Sequence, residues 1–218
     1  MTSSDWAIVA SLATAGGTLV LAVATFSSVR SSNRTARAAE RSLQAGLRPL
    51  LVQTRDDDPV EHIMWGDRHW ADVGGGATVA EFAPAPDGSG DVVYLAIPVR
   101  NAGAGLAVLH GWSPSAVWNN AGVPHAEPDD FRRMTRDLYI APGDTGFWQG
   151  AMRDPSEPLY GELVEAVREP RMFSIDLLYG DSEGGQRTIS RFSLVPTGNG
   201  AWTGSIGKHW NLDRDDPR

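Results

Sequence analysis

From residue 6 to residue 27 the chain carries no charged side chain and is rich in Leu, Val and Ala; Arg30, Arg34, Arg37, Arg41 and Arg48 follow at once. A helix of about 20 apolar residues crosses the hydrocarbon core of a bilayer, so the run predicts a transmembrane helix. The next stretch, VRSSNRTARAAERSLQAG, lacks proline and favours helix, which extends the helix beyond the membrane until Leu47-Arg48-Pro49 stops it. With successive residues about 100° apart, the arginines and Gln44 fall within about 40° of one line along the helix. Leu12, Leu19 and Val23 lie near that line, whereas Ala10, Thr14, Gly17 and Ser28 lie opposite it. Small residues let helix backbones approach closely in lipid, so this second face is a candidate packing surface for another copy or a membrane partner.

Past Pro49 the hydrophobic period changes from that of a helix to two. Strands are expected over 49–54, 61–65, 77–82, 92–101, 106–118, 137–140, 147–152, 171–179, 186–194 and 201–206. Glycine and proline punctuate them densely, at Gly74-Gly75-Gly76, Gly103 and Gly105, Pro142-Gly143, and Gly184-Gly185. Only 158–168 reads as a short helix. Many short strands between such turns predict a mainly β fold: one antiparallel β-sandwich of Ig-like architecture after the N-terminal helix. The expected boundaries are 1–47 for the membrane and juxtamembrane helix, 48–212 for the β domain and 213–218 for a polar tail. Pro98 cannot donate to a strand ladder and is expected at an edge or bulge.

Charge gives the helix a direction. No Lys or Arg precedes Arg30, so the excess of positive charge after the apolar run places the N-terminus outside and the β domain in the cytoplasm, on the inner membrane. A cleaved signal peptide is the rival, with Ala22-Val23-Ala24 as its small-residue site, and it would make the protein an exported binding domain. The absence of a basic region before the run and the length of the run oppose it. Residues 49–218 hold 14 Lys and Arg against 25 Asp and Glu, a net charge of −11. That balance excludes a nucleic-acid partner, because phosphate binding needs clustered cations. Zero Cys fits a reducing compartment and excludes a disulfide scaffold.

Candidate chemistry is sparse. Asn101-Ala102-Gly103-Ala104-Gly105 contains GxG but precedes a strand-like segment, and a dinucleotide loop must open a helix. Gly204-Ser205-Ile206-Gly207-Lys208 lacks the spacing of a phosphate loop. Glu61, His62, Asp67 and His69 form the best metal-ligand cluster in the sequence, with a spacing that matches no established site. No Ser, His and acid set sits in a nucleophile elbow. Of eight Trp, Trp6 suits the membrane interface together with Arg30, Arg34, Arg37 and Arg41 at the headgroups. Trp112, Trp118 and Trp148 sit in strand patterns, while Trp65, Trp70, Trp202 and Trp210 adjoin polar or glycine-rich stretches; they read first as caps on the end of the sandwich and alternatively as candidate interface aromatics.

Arg48-Pro49 after an Ala- and Arg-rich helix, then VRNAGAGLAVLHGW, LYIAPGDTGFWQG and IDLLYGDSEGGQRTISRF, resembles an uncharacterised group of bacterial single-pass membrane proteins carrying a β-sandwich. The Arg-dominated composition points to an actinobacterial or similar source. The resemblance covers nearly the whole chain, and it implies a fold and a location rather than an activity. The expected function is therefore non-enzymatic: a membrane-anchored interaction or scaffolding module with the lipid bilayer and a membrane protein or second copy as partners, and no cofactor. The alternative is a metal-dependent or small-molecule enzyme using the region from Glu61 to Trp70.

Overall fold

The computed structural model describes residues 3–85, 87–88, 90–115 and 123–214. The chain forms two compact units, Met1–Gly46 and Leu47–Arg218. The first is one unbroken helix, α1 (Ser3–Gly46), of 44 residues, or about 66 Å at 1.5 Å per residue. Residues 11–40 are exposed throughout. The hydroxyls of Ser11, Thr18 and Ser27 donate to the carbonyls of Ile8, Thr14 and Ala24 at 2.8–2.9 Å. Polar side chains satisfied within their own helix suit a lipid environment, which offers no other partner. The helix is long and apolar enough to cross a membrane, a property that membrane anchors and signal sequences share.

The second unit contains β1 (Leu51–Gln53), β2 (Glu61–Met64), β3 (Trp70–Val73), β4 (Ala77–Pro84), β5 (Asp91–Asn101), β6 (Ala107–Ser115), β7 (Arg132–Ile140), β8 (Thr145–Met152), α2 (Tyr160–Arg168), β9 (Phe173–Gly180), β10 (Arg187–Gly198) and β11 (Ala201–Asn211). Every expected strand is present with shifted ends. Residues 116–118, Trp118 among them, lie outside the described residues, as do 215–218 of the polar tail. Sequence reading missed β3, four residues with a polar middle that depend on pairing with β2.

The expected Ig-like architecture needs two separate sheets, and the hydrogen bonding differs. Nine strands form one continuous antiparallel sheet in the order β1-β5-β4-β11-β10-β9-β6-β7, with β8 on the other flank of β5. β4 makes the connection: Val79–Pro84 pair with β5, while Ala77 and Thr78 pair with β11. An alternating pattern records which face of a strand is buried and not which strand lies beside it, so one bent sheet and two flat ones read alike.

Val93, Leu95, Ile97 and Val99 of β5 share a single core with Phe173, Ile175, Leu177 and Tyr179 of β9, closed by Trp148, Met152 and Leu163 of α2. Trp112 and Trp148, on unpaired strands, meet edge to face with centroids 5.1 Å apart. Both central strands are also covered on their outer faces. Val92, Tyr94 and Ala96 pack under Ile63, Trp65 and Val73 of the β2–β3 hairpin, and Leu178 and Ile189 pack with Phe131 and Trp210. Asp176, on the outer face of β9, is accordingly buried. It forms a two-pronged ion pair with Arg191 at 2.6 and 2.7 Å. Arg191 also donates to the carbonyls of Val123 and Pro124 and lies over the Trp210 ring. Pro98 sits mid-sheet, where β5 passes from pairing with β4 at Ala96 to pairing with β1 at Val99. The ladder has a gap there, and a missing donor costs nothing in a gap.

Asn101 is fully buried and every polar group it carries is used. Its side-chain amide donates to the carbonyls of Gly105 (2.7 Å) and Ile140 (3.0 Å), and its side-chain oxygen accepts from the amides of Leu50 and Gly103. Its backbone N–H donates to Asp144, and its carbonyl accepts from Gly143. Gly103 and Gly105 supply room rather than conformational freedom. Neither adopts positive φ, and a Cβ on either would run into the backbone of Leu47, Arg48 or Pro49. The guanidinium of Arg48 donates to Thr188 (3.1 Å) and Asn211 (3.0 Å) and pairs with Asp213. The Leu51 amide donates to the Tyr179 hydroxyl. The segment that enters the β domain is thus clamped from several strands.

Two stability outcomes follow for the full chain in detergent, measured by urea unfolding of the β signal. Asp176→Ala leaves Arg191 buried without its counter-charge and lowers stability by about 3–5 kcal/mol; adding Arg191→Met restores most of the loss. An unchanged single variant would show that the pair is not desolvated. Gly105→Ala costs about 2 kcal/mol or more, because backbone cannot yield as a side-chain tip does. A loss below 0.5 kcal/mol (on the order of a surface change) would contradict the close approach.

Candidate functional site

β7 and β8 follow one another in the chain, yet they do not pair. β7 bonds β6, and β8 bonds β5. They are held together near their turn, where Gly143 (φ +81°) bends the chain and Asn101 grips both ends, and they diverge beyond it. Arg136 of β7 reaches across the narrow end to the Gln149 side chain (3.3 Å). Farther along, a groove of about 610 Å³ opens between them, floored by Trp65 and Trp112 and lined by Arg132, Arg133, Gln149 and Arg153 among others.

Tertiary contacts hold most of these groups. The Trp65 indole donates to the Gly150 carbonyl at 2.9 Å, pinning the β2–β3 turn over β8. Arg132 stacks over Trp112 and pairs with Glu157. Arg153 donates to Asp67 at 2.9 Å, and Asp67 also accepts the Tyr94 hydroxyl at 2.5 Å. Burial raises the Asp67 pKa, but the bonds from Tyr94, Arg153 and the His69 amide outweigh it and leave the carboxyl below its ordinary value. Burial, then the bond to Asp67 and its charge, push the Tyr94 phenol up to about 12.

The four sequence-predicted metal ligands divide among different partners. His62 pairs with Asp72 (2.5 Å) on the exposed hairpin, and His69 pairs with Glu81 (2.6 Å) while stacking on Tyr94. Asp67 serves Tyr94 and Arg153, and Glu61 lies in β2 opposite Val73. Among the described residues no three His, Cys, Asp or Glu side chains converge as a metal site. Ser190 approaches His209 Nδ1 at 2.6 Å and the Tyr179 hydroxyl at 2.7 Å. Ser190 is 0% exposed, so this serine has no route to a substrate.

Of the candidate interface aromatics, Trp70 is exposed (61%), while Trp65, Trp202 and Trp210 are buried: Trp65 under the hairpin, Trp202 against Phe173 and Trp210 against His125 and Arg191. The inward turn of Trp65, Trp202 and Trp210 fits the capping reading, while Trp70 stays exposed. On α1, Trp6 is exposed, and Arg30, Arg34 and Arg37 share one face with Phe26 and Val29. Thr14, Gly17 and Ser28 are exposed on the helix; the side chains of Ala10 and Arg41 lie outside the described residues. Arg132, Arg133 and Arg153 were missed as site residues, although the run Phe131-Arg132-Arg133-Met134-Thr135-Arg136 is the most basic in the domain. What the sequence lacked was any sign that this strand borders a groove.

Comparison of the chain with protein-family models, with curated proteins and with solved structures finds no match. The resemblance drawn from its motifs is therefore attached to no identified family, and the reading of function rests on geometry.

The Tyr94–Asp67 bond has a pH signature. Tyr94 keeps its proton more tightly when folded, so its contribution to stability is complete below pH 10 and disappears as pH rises from 10 to about 12. In a 295 nm absorbance titration of the folded chain, the difference between the parent and Tyr94→Phe should show a midpoint near 12. A midpoint near 10 would mean that neither burial nor Asp67 raises the phenol.

Proposed function

We propose that the protein is a membrane-anchored, non-enzymatic interaction module: α1 crosses the inner membrane with its N-terminus outside, and the β domain works in the cytoplasm. The observation that carries this reading is the bare apolar surface of α1. Leu12, Leu19, Val20, Leu21, Val23 and Phe26 are each more than 60% exposed, a surface that water disfavours and a bilayer covers. The arginines after the apolar run supply orientation by the positive-inside rule. The small-residue face through Thr14, Gly17 and Ser28 suits a homo-oligomer or a membrane-protein partner. Arg30, Arg34 and Arg37 suit anionic headgroups.

Several features favour a binding role over catalysis. His62, His69 and Asp67 near Trp65 are engaged in pairs, the serine of the Ser190–His209 contact is fully buried, and the groove lining presents three guanidinium groups. An exported binding domain is the second reading, favoured by Ala22-Val23-Ala24 within α1 and by the resemblance of such a helix to a signal sequence. The two readings place the domain on opposite sides of the membrane.

A reporter that is active only in the cytoplasm, fused after Arg218, should be active and remain in the membrane fraction, and protease added to intact cells should leave the β domain whole. Release of a shortened chain with a new N-terminus after residue 24 would establish export instead.

A further inference from the structure

The open flank of β8 is the least explained surface of the β domain. Asn101 directs its backbone groups towards the turn at Gly143 and Asp144, and Gly90 directs its carbonyl to Ala85 on the β4 side. Antiparallel strands alternate these directions residue by residue. The odd-numbered residues of β5 therefore bond β8, through pairs such as Val99 with Gly146 and Leu95 with Gly150. It follows that Gln149 and Ala151 turn their N–H and C=O groups away from β5 and into the groove. Among the described residues no strand pairs with this edge. An open edge is a template for another strand, and folded proteins commonly cover such edges or use them.

Charge selects what would enter. Within a stretch of chain whose net charge is −11, three arginines line this groove and Arg136 crosses its narrow end. Asp67 is the acidic residue in the lining, and it is already shared by Tyr94 and Arg153. Arg132 pairs with Glu157 and Arg153 with Asp67, so the cations left for a ligand are Arg133, which is exposed, and Arg136, which is held by a neutral amide rather than by a carboxylate.

We propose that the seam between β7 and β8 binds an extended, acidic polypeptide segment, which adds as a short strand to the free edge at Gln149–Ala151 while its carboxylates meet Arg133, Arg136 and their neighbours. This rests on the reading of the protein as an interaction module and names the chemistry of its partner. Backbone pairing holds the segment, and the guanidinium groups choose acidic over basic sequences.

The test uses the full chain in lipid nanodiscs and a fluorescein-labelled decapeptide alternating Thr and Glu, followed by anisotropy. The Thr-Glu probe should bind at least tenfold more tightly than its Thr-Lys counterpart and weaken as salt rises. Arg133→Glu with Arg136→Glu should cost at least tenfold; both side chains are exposed, and circular dichroism checks that the variant keeps its β signal. Methylating alternate backbone nitrogens of the probe should also cost at least tenfold, which charge attraction alone would not predict. No binding, equal binding of the two probes, indifference to the charge reversals or indifference to N-methylation would each overturn the proposal. Because the titration does not depend on which side of a membrane the domain occupies, a silent seam leaves the anchored-module reading standing, and a failed topology test leaves the titration unaffected.

Discussion

The buried side chain of Asn101 is the constraint on which the working geometry of the β domain depends. It ties together the entry segment at Leu50, the loop through Gly103 and Gly105, the end of β7 at Ile140 and, through its backbone, the turn that starts β8. A buried amide with all its donors and acceptors satisfied stabilises one arrangement, and it penalises every alternative that leaves one of them unpaired. Because β7 belongs to β6 and β8 to β5, fixing the two strands together at this end makes them part at the other. The groove is the consequence.

A second polar device works on the opposite side of the core. Arg191 and Asp176 occupy the outer faces of β10 and β9, where an exposed pair would contribute little. The covering segment from Val123 to Phe131 removes water and supplies two carbonyls to the guanidinium. The pair thereby becomes a registration device: its geometry is satisfied only when that segment lies across the sheet. Apolar residues alone would bury a similar area with less control over where the segment settles.

The protonation states of the two groups at the groove rim are fixed by their surroundings. Three donors hold the Asp67 carboxyl below its ordinary value against the effect of burial, and burial together with the bond to Asp67 raises the Tyr94 phenol. Neither group titrates near neutral pH, so neither is poised to move a proton there. Their bonds fix Arg153 and the β2–β3 turn at the rim of the groove.

Local pattern determined a good deal by itself. The 44-residue helix, its basic face, ten of the eleven strands and the short α2 were legible because each depends on neighbours in sequence: helix propensity, a period of two, and turns at residues such as Gly143 and Gly184 whose φ is positive. Tertiary structure decided the rest. Whether Asp176 faced water depended on a segment some fifty residues away in sequence, and whether the strands made one sheet or two depended on Ala77 and Thr78 meeting β11. The roles of Gly103 and Gly105 came from the Leu47–Pro49 backbone lying against them. The groove arose because consecutive strands chose different partners. Periodicity records that a face is buried but carries no information about what buries it, and the contacts that answer that question join residues remote in the chain.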